Sequence, residues 1–228
     1  MTMLEGERAH ESLPAPNTPQ DSIPTVSVID DDASVRTALS RLLRSAGFQV
    51  KTYASAAEFL EDTEAERLGC LVLDVRMPGL GGMGLQEQLR RRAQSQPIIF
   101  LTGHGDIPTS VQAMKKGAVD FLTKPVKPEL LLNAVRGAIA QHRRLREDIA
   151  ATERIRRRVS TLTPRELEVM RCVIAGALNK QIAWHLGISE KTVKVHRARV
   201  MQKLEVISVA DLVRVAEQAG VEPLLVKQ

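Results

Sequence analysis

The sequence predicts an α/β domain with a parallel sheet, followed by a long helix and a small all-helical domain. Three observations lead to this prediction. Short apolar segments alternate with amphipathic ones between residues 25 and 123, which is typical of successive β-α units. Beyond Pro128 the apolar positions have helical spacing throughout. Residues 1–125 contain 13 Lys+Arg and 16 Asp+Glu, whereas residues 126–228 contain 19 and 11, so charge divides the chain at a similar place.

The first 23 residues predict a disordered tail, because they are rich in Pro, Glu, Ser and Asn. They lack the apolar core of a signal peptide, and no apolar stretch approaches the roughly 18 to 20 residues of a membrane span. We therefore expect a cytoplasmic protein with no membrane partner. Cys70 and Cys172 are too few and too far apart for a disulfide framework or a zinc site, and we expect two reduced, buried thiols.

The α/β domain is predicted over residues 24–140. Its five apolar segments, which we interpret as strands, span 25–29, 48–53, 70–74, 97–102 and 118–123. The segments between them have helical spacing and predict helices over 34–46, 56–62, 83–94 and 108–116. Strict alternation with short connections produces a parallel sheet covered by helices on both faces. Ligands of such sheets bind beyond the carboxyl ends of the strands.

Polar side chains follow four of the predicted strands and should meet at one edge of the sheet. Asp30 and Asp31 end the first strand and Asp74 the third, while Thr102 and Lys124 end the fourth and fifth. Carboxylates repel one another unless a cation is present, and oxygen ligands in a partly open site suit Mg²⁺. A carboxylate nucleophile, a metal site, a hydroxyl and an ammonium together predict phosphoryl transfer to an aspartate.

These residues lie in motifs that resemble the receiver domain of two-component response regulators over residues 25 to about 140. The motifs are VIDDD, LDVRMPG, LTGHGD and the Lys124-Pro125 pair. The resemblance implies a flavodoxin-like five-stranded fold and phosphorylation of Asp74 by a sensor histidine kinase. It also implies Mg²⁺ bound by Asp31, Asp74 and the backbone carbonyl of Arg76, with Asp30 bound through water. Asp32 is left outside this ligand set.

The same resemblance implies that Thr102 and Phe121 move together when Asp74 is phosphorylated, which repacks the face formed by the fourth helix and the fifth strand. A static core aromatic is the alternative for Phe121. Arg76 and His104 flank the pocket and are expected to tune the lifetime of the phosphoryl group.

A phosphatase related to the haloacid dehalogenases also uses a strand-end Asp nucleophile with Mg²⁺. That chemistry requires a second Asp two residues after the nucleophile, where this sequence has Arg76. We therefore expect a regulator and not a classical enzyme, although its receiver domain catalyses its own phosphoryl transfer and dephosphorylation.

A helical run without Gly or Pro extends from Ala138 to Thr163. Heptad spacing relates a series of positions that begins before it, namely Leu131, Val135, Ala138, His142, Leu145, Ile149 and Thr152. The first part of the series suits the last helix of the α/β domain, packed on the sheet. The second part, within a predicted helical linker over 141–160, is too polar for a core. It is either a dimer seam or a lone solvated helix, and the sequence leaves both open.

A four-helix domain is predicted over residues 161–228. It begins with a capping box in Thr163-Pro164-Arg165-Glu166, and the next helix, over 179–186, ends at Gly187. Ser189 caps a third helix, and residues 210–219 form the fourth. A short helix, a glycine turn and a helix with exposed cations are typical of a helix-turn-helix whose second helix enters the major groove of DNA. A small helical bundle with a solvated basic face is the alternative.

Further motifs resemble the LuxR-type helix-turn-helix of NarL/FixJ response regulators, and the adjoining receiver-like segment points to the FixJ-like branch. The motifs are LTPRELEV, Asn179-Lys180, Ile182-Ala183, Leu186, Ser189, Thr192-Val193-Lys194 and His196. The resemblance implies base contacts by Lys194 and Val195. It implies phosphate contacts by Lys180, Thr192, His196 and Arg197; Ser189, Lys191 and Arg199 complete the predicted DNA-binding set.

One position departs from this family pattern. Ala198 stands where some relatives have a third base-reading lysine, so sequence preference is expected to rest partly on Arg199 or on contacts with a thymine methyl group.

The two resemblances together imply a transcription regulator, and they point to activators. The expected partners are double-stranded promoter DNA, RNA polymerase and a second copy of the chain, at least when Asp74 is phosphorylated. The long helix could instead hold a constitutive dimer. An architectural DNA-binding protein with an inert receiver is a further alternative.

Overall fold

The structure is a computed structural model that describes residues 23–62, 69–92, 96–103 and 107–225. The predicted disordered tail, except for its last residue, lies outside these ranges, as does His104. The described residues form two compact units, divided between His142 and Arg143. Within the described ranges, no helix combines the length and the apolar character needed to cross a membrane.

A five-stranded parallel sheet forms the centre of the first unit, with strand order β2-β1-β3-β4-β5. The strands are β1 Thr25–Ile29, β2 Gln49–Tyr53, β3 Gly69–Asp74, β4 Ile98–Thr102 and β5 Asp120–Thr123. This order is that of the flavodoxin-like doubly wound fold, as predicted. The order reverses between β1 and β3, and this switch point is where such folds bind their ligands.

Helices cover both faces of the sheet. They are α1 Ala33–Ser45, α2 Ala56–Glu61, α3 Gly82–Arg91, α4 Ile107–Lys115 and the first part of α5 Pro128–Ser160. Successive side chains of β3 point to opposite faces: Leu71 and Leu73 pack with α2, α3 and α4, whereas Cys70 and Val72 pack with α1 and α5. The central strand is therefore buried on both sides, which explains why it is apolar up to Asp74.

The helix α5 contributes to the cores of both units. Val135, Ala138 and His142 are buried in the first unit, and Nδ1 of His142 lies 2.9 Å from the carbonyl oxygen of Gly69. This confirms that the first part of the predicted heptad series belongs to the last helix of the receiver fold. Leu145 and Ile149 are 42% and 46% exposed, so both interpretations of the second part, a seam and a solvated helix, stay open.

The second unit contains α6 Pro164–Ile174, α7 Asn179–Leu186, α8 Glu190–Leu204 and α9 Val209–Ala219. Their apolar faces form one core that also receives Val159 and Leu162, at and just after the end of α5. Gly187 ends α7 in the left-handed region with φ of +64°, a conformation that favours glycine, and this allows the sharp turn into α8. The four predicted helices are therefore present.

A buried carboxylate joins α6 to α8. Glu166 is 2% exposed and completes the predicted capping box, since its Oε2 accepts a hydrogen bond from the amide of Thr163 at 2.9 Å. The ammonium of Lys203, near the end of α8, lies 2.6 Å from the same oxygen. The hydrogen bonds from Lys203 and Thr163 lower the pKa of Glu166 to about 2. A sequence signal for a helix start thus also contributes a contact between helices.

Each unit contains its own aromatic chromophore. Tyr53, the single tyrosine of the chain, is buried in the first unit, and its hydroxyl donates to Asp62 Oδ2 at 2.7 Å. Trp184, the single tryptophan, lies on α7 of the second unit and is 74% exposed.

Candidate functional site

Three carboxylates meet at the switch point of the sheet. Asp30 and Asp31 follow β1 and Asp74 ends β3, and these strands are neighbours. One oxygen from each carboxylate lies within 4.8 Å of the others. Asp30 and Asp74 are 1% and 6% exposed, whereas Asp31 is open to solvent. The edge of the sheet therefore holds a concentrated negative charge with one accessible side.

Lys124 places an ammonium within this cluster. Its Nζ lies 2.6 Å from Asp30 Oδ2 and 2.8 Å from Asp74 Oδ1. Its amide donates to the carbonyl of Thr102 at 2.7 Å, which fixes the end of β5 beside the end of β4. Burial acts to lower the pKa of Lys124, but the hydrogen bonds to Asp30 and Asp74 outweigh burial and raise it. The cluster thus holds a lysine that stays protonated.

Both oxygens of Asp74 are positioned. Oδ2 accepts from the amide of Arg76 at 3.0 Å, and Oδ1 faces Lys124. Burial raises the pKa of Asp74, and the hydrogen bond and charge of Lys124 oppose that rise. The first residue of α3, Gly82, packs so closely that a Cβ there would lie 2.2 Å from the carbonyl oxygen of Asp74. A larger residue at 82 would displace the strand end that carries Asp74.

The third acidic residue of the VIDDD motif caps a helix. Asp32 accepts hydrogen bonds from the amides of Ser34 and Val35 at 2.7 and 3.3 Å, as the N-cap of α1. Its own amide donates to Asp30 Oδ1 at 3.0 Å. The hydrogen bonds from the Ser34 and Val35 amides lower the pKa of Asp32, with the Ser34 amide as the main cause.

Arg36 is a pocket residue that the sequence analysis missed. Its Nη1 donates to the carbonyl oxygens of Asp30 at 2.6 Å and of Asp31 at 2.9 Å. The guanidinium therefore ties the acidic loop to α1. No motif or periodicity marks this residue, because it recognises backbone atoms and not side chains.

The donor set fits a magnesium ion. Asp30, Asp31 and Asp74 offer hard carboxylate oxygens, and the exposure of Asp31 leaves room for water and a phosphoryl group. Nitrogen and sulfur ligands, which would favour zinc, are absent from this cluster of described residues. The assignments of the Arg76 carbonyl and of a water on Asp30 stay predictions.

The second unit exposes a row of cations on one helix. Val193, Val200 and Leu204 of α8 are buried, and the opposite face is accessible. Among the predicted DNA-binding residues, the exposed side chains are Lys180, Ser189, Lys191, Lys194, Val195 and Arg199, whereas Thr192, His196 and Arg197 are half-buried. The order α7, glycine turn, α8 is that of a helix-turn-helix.

Comparison with known proteins decides the family. Residues 26–136 match the response regulator receiver domain, and residues 160–216 match the bacterial regulatory proteins of the luxR family. The chain is 43% identical over 203 residues to the transcriptional regulatory protein FixJ of Azorhizobium caulinodans, which covers 89% of this chain and 96% of FixJ. This chain is a two-component response regulator of the NarL/FixJ family.

Two further relatives agree with this assignment. The response regulator is 46% identical over 198 residues to the response regulator protein TodT of Pseudomonas putida, which covers 87% of each chain. A low-resolution structure of the response regulator StyR superposes with a TM-score of 0.80 at 49% identity, covering 86% of this chain and all of StyR. The family implies a histidine kinase as the partner of the receiver and DNA as the partner of the helical domain. A receiver joined to a DNA-binding domain of bacterial regulatory proteins makes this response regulator a transcription regulator.

The two predicted switch residues of the response regulator, Thr102 and Phe121, lie on the neighbouring strands β4 and β5. Thr102 is 1% exposed at the end of β4, which pairs with β3 next to Asp74. Phe121 is half-buried, and its ring centroid lies 6.1 Å from that of the buried Phe100. Phe121 packs at the margin of the core and is neither fully buried nor free in solvent.

The helix α4 carries an exposed apolar stripe. Ile107, Val111 and Met114 recur at intervals of four and three residues and are 77%, 45% and 46% exposed. Beneath them Ala113 is buried against the sheet. This response regulator therefore presents an apolar surface on the face that was predicted to repack.

Three of the predicted DNA-binding residues differ in their surroundings within the helix-turn-helix. Nη1 of Arg197 donates to Asn179 Oδ1 at 2.6 Å. Nδ1 of His196 is buried and has no hydrogen-bond partner in the described part of the chain. Ser189 caps α8, because its hydroxyl accepts from the amide of Thr192 at 3.1 Å.

Proposed function

We propose that phosphorylation of Asp74 by a sensor histidine kinase controls dimerisation of this response regulator and its sequence-specific binding to promoter DNA. The observation that carries the proposal is the cluster of Asp30, Asp31, Asp74 and Lys124 at the switch point of the sheet. The outcome of DNA binding is regulation of transcription, and activation through contact with RNA polymerase is the outcome we favour.

Phosphoryl transfer follows from the positions of these side chains. An oxygen of Asp74 attacks the phosphorus of the phosphohistidine, the N–P bond breaks, and the histidine nitrogen leaves with the electron pair. Magnesium, when bound by Asp31 and Asp74, supplies positive charge for the phosphoryl oxygens. The ammonium of Lys124, already 2.8 Å from Asp74 Oδ1, donates to one oxygen of the new phosphoryl group. The hydroxyl of Thr102 donates to a second phosphoryl oxygen.

Dephosphorylation uses the same pocket. A water molecule attacks the phosphorus of the acyl phosphate, the bond from phosphorus to the Asp74 oxygen breaks, and inorganic phosphate leaves while Asp74 returns to its carboxylate form. Arg76, next but one to the acceptor, is one of the side chains that set how easily water approaches, and His104 was predicted to be another.

The signal leaves the pocket through Thr102. Its movement towards the phosphoryl group opens space into which Phe121 turns, and this rearranges the adjoining face of α4 and β5. The stripe of Ile107, Val111 and Met114 on that face gives a second copy of the chain an apolar surface to cover. The competing view, a constitutive dimer held by Leu145 and Ile149 of α5, predicts no effect of phosphorylation on oligomeric state.

DNA is read by α8. We expect Lys194 and Val195 to contact base edges in the major groove, and Lys180, Lys191, Thr192 and Arg199 to contact phosphates, bases or both. His196 would use Nε2 for a phosphate, since its Nδ1 is buried. Ser189 contributes through its cap, which fixes the first turn of the recognition helix.

Light scattering with and without acetyl phosphate and Mg²⁺ tests the dimerisation step. We expect the unphosphorylated chain to be monomeric and the phosphorylated chain dimeric. Val111→Glu should prevent the dimer without preventing phosphorylation, whereas Gln112→Glu, the same charge change beside the stripe, should not. An Asp74→Asn protein that still dimerises with the donor contradicts the proposal.

The architectural alternative makes a different prediction for the receiver. An inert receiver takes no phosphoryl group, whereas the proposal expects a mass increase at Asp74 that hydroxylamine removes. Transcription from a bound promoter with purified RNA polymerase then distinguishes activation from repression.

A further inference from the structure

The recognition helix contains one cation that is bonded within its own domain. Arg197 Nη1 lies 2.6 Å from Asn179 Oδ1, and Asn179 is the first residue of α7. The bond therefore joins the beginning of the first helix of the helix-turn-helix to the middle of the second. It has the short distance that is typical of a hydrogen bond from a charged donor.

Arg197 lies at the edge of the helical core. Together with Met170, Val200 and Leu212 it borders a small internal cavity, and the side chain is half-buried. An arginine that packs its methylene groups against apolar side chains fixes the direction of its guanidinium. Arg197 thus meets α7 through its bond to Asn179 and meets the helical core at the cavity that it borders.

The other cations of this surface differ from Arg197. Lys180, Lys194 and Arg199 are exposed, and among the described residues they form neither a hydrogen bond nor an ion pair. Such side chains are free to reach phosphates or bases. Arg197, in contrast, would have to give up Asn179 and its place in the core to do so.

We propose that Arg197 is a positioning residue that sets the angle of the recognition helix through Asn179, and that it is not a phosphate contact. This inference rests on the proposed DNA binding by α8. It reassigns one member of the predicted contact set and adds Asn179, which carries no charge and was not in that set.

The dependence of affinity on salt separates the two roles. Each phosphate contact releases counterions, so removal of one makes the negative slope of log K against log salt concentration shallower by about 1. Loss of a positioning bond weakens binding at every salt concentration and leaves the slope unchanged. The two roles also differ at Asn179, because its truncation removes no charge.

The experiment uses the full chain and a duplex that the unsubstituted chain enriches from a random-sequence pool. Affinity is measured over a range of salt concentrations for Asn179→Ala, Arg197→Met, the double variant and Lys180→Met. We expect Asn179→Ala and Arg197→Met each to lose about tenfold in affinity with an unchanged slope. The free energy of a hydrogen bond to a charged group corresponds to about a tenfold change in affinity. The double variant should bind as tightly as the weaker-binding single variant, because both substitutions remove the same bond.

Lys180→Met is the matched control, because it removes an exposed cation next to Asn179 and should make the slope shallower by about 1. The proposal is overturned if Arg197→Met makes the slope shallower by as much as Lys180→Met does while Asn179→Ala binds with full affinity. Asn179→Ala keeps every charge and every core side chain, so it decides the matter even if Arg197→Met unfolds. A chain that enriches no duplex at all would instead refute the proposed function.

Discussion

Both units of this response regulator bury a carboxylate against a lysine at the same distance, yet only one of these pairs is suited to chemistry. Lys124 lies 2.6 Å from Asp30 in the receiver, and Lys203 lies 2.6 Å from Glu166 in the helix-turn-helix domain. Glu166 has a lowered pKa and also holds the amide of Thr163, so the donors around it are well matched to its charge. The pair joins two helices.

The receiver pair differs because it has an excess of negative charge. Lys124 is shared between Asp30 and Asp74, and burial raises the pKa of Asp74 despite that lysine. Asp31 adds a third carboxylate and opens the cluster to solvent. An incompletely neutralised, accessible cluster can take up a cation and a phosphoryl group, whereas a neutralised and closed pair can only stabilise the fold. The surplus charge, and not the ion pair, distinguishes the candidate functional site.

The largest expected effect tests this contrast directly. Asp74→Asn removes the nucleophile, so we expect no phosphorylation by acetyl phosphate when the intact protein is examined by mass spectrometry. Glu166→Gln, which alters the other buried pair, should be phosphorylated like the unsubstituted chain. If Glu166→Gln lost phosphorylation while remaining folded, the two pairs would not be separate in function.

The second prediction concerns Lys194, which forms no ion pair with a carboxylate in the described part of the chain. Lys194→Ala should cost about 1–3 kcal/mol of binding to a preferred duplex and relax specificity, because it removes a contact to a base edge. Affinities for the preferred and a random duplex, measured at one salt concentration, give the comparison. Equal losses on both would make Lys194 a phosphate contact.

The third prediction concerns Arg36, which supports the loop that carries the surplus charge. Arg36→Met frees the carbonyls of Asp30 and Asp31, so the acidic loop should hold Mg²⁺ about tenfold more weakly, as is usual when outer supports of a metal site are lost. Calorimetric titration with Mg²⁺ alone measures this without any phosphodonor. Arg41→Met, an exposed change on the same helix, is the control and should leave the affinity unaltered.

The last prediction concerns the pH dependence of the structural pair. The pKa of Glu166 is lowered from 4.5 to about 2 on folding, so its charge stabilises the domain above pH 4.5 and this stabilisation is lost as pH falls towards 2. The difference in Tm between the unsubstituted chain and Glu166→Gln should therefore shrink over this range. A constant difference would mean that the charge of Glu166 contributes nothing.

Sequence patterns predicted those parts of the molecule that depend on repeating geometry. The strand-end positions of Asp30, Asp74 and Lys124 follow from the alternation of strands and helices, because all carboxyl ends of a parallel sheet meet at one edge. The capping box at Thr163 and the glycine turn at Gly187 are equally local.

Contacts between specific side chains at a distance could not be predicted in this way. Arg36 reaches backbone carbonyls, and Asn179 reaches Arg197 across 18 positions, so neither has a periodicity that a sequence reveals. The exposed part of α5 shows the same limit, since heptad spacing fits both a seam and a solvated surface.

The separation of Tyr53 and Trp184 makes this molecule its own optical reporter. Excitation at wavelengths that only indole absorbs observes the helix-turn-helix domain alone, on the helix that carries Lys180. The receiver is silent in that channel. A change in indole emission on addition of a phosphodonor, with no DNA present, would therefore be a direct signal, without any label, that an event at Asp74 has reached the other unit.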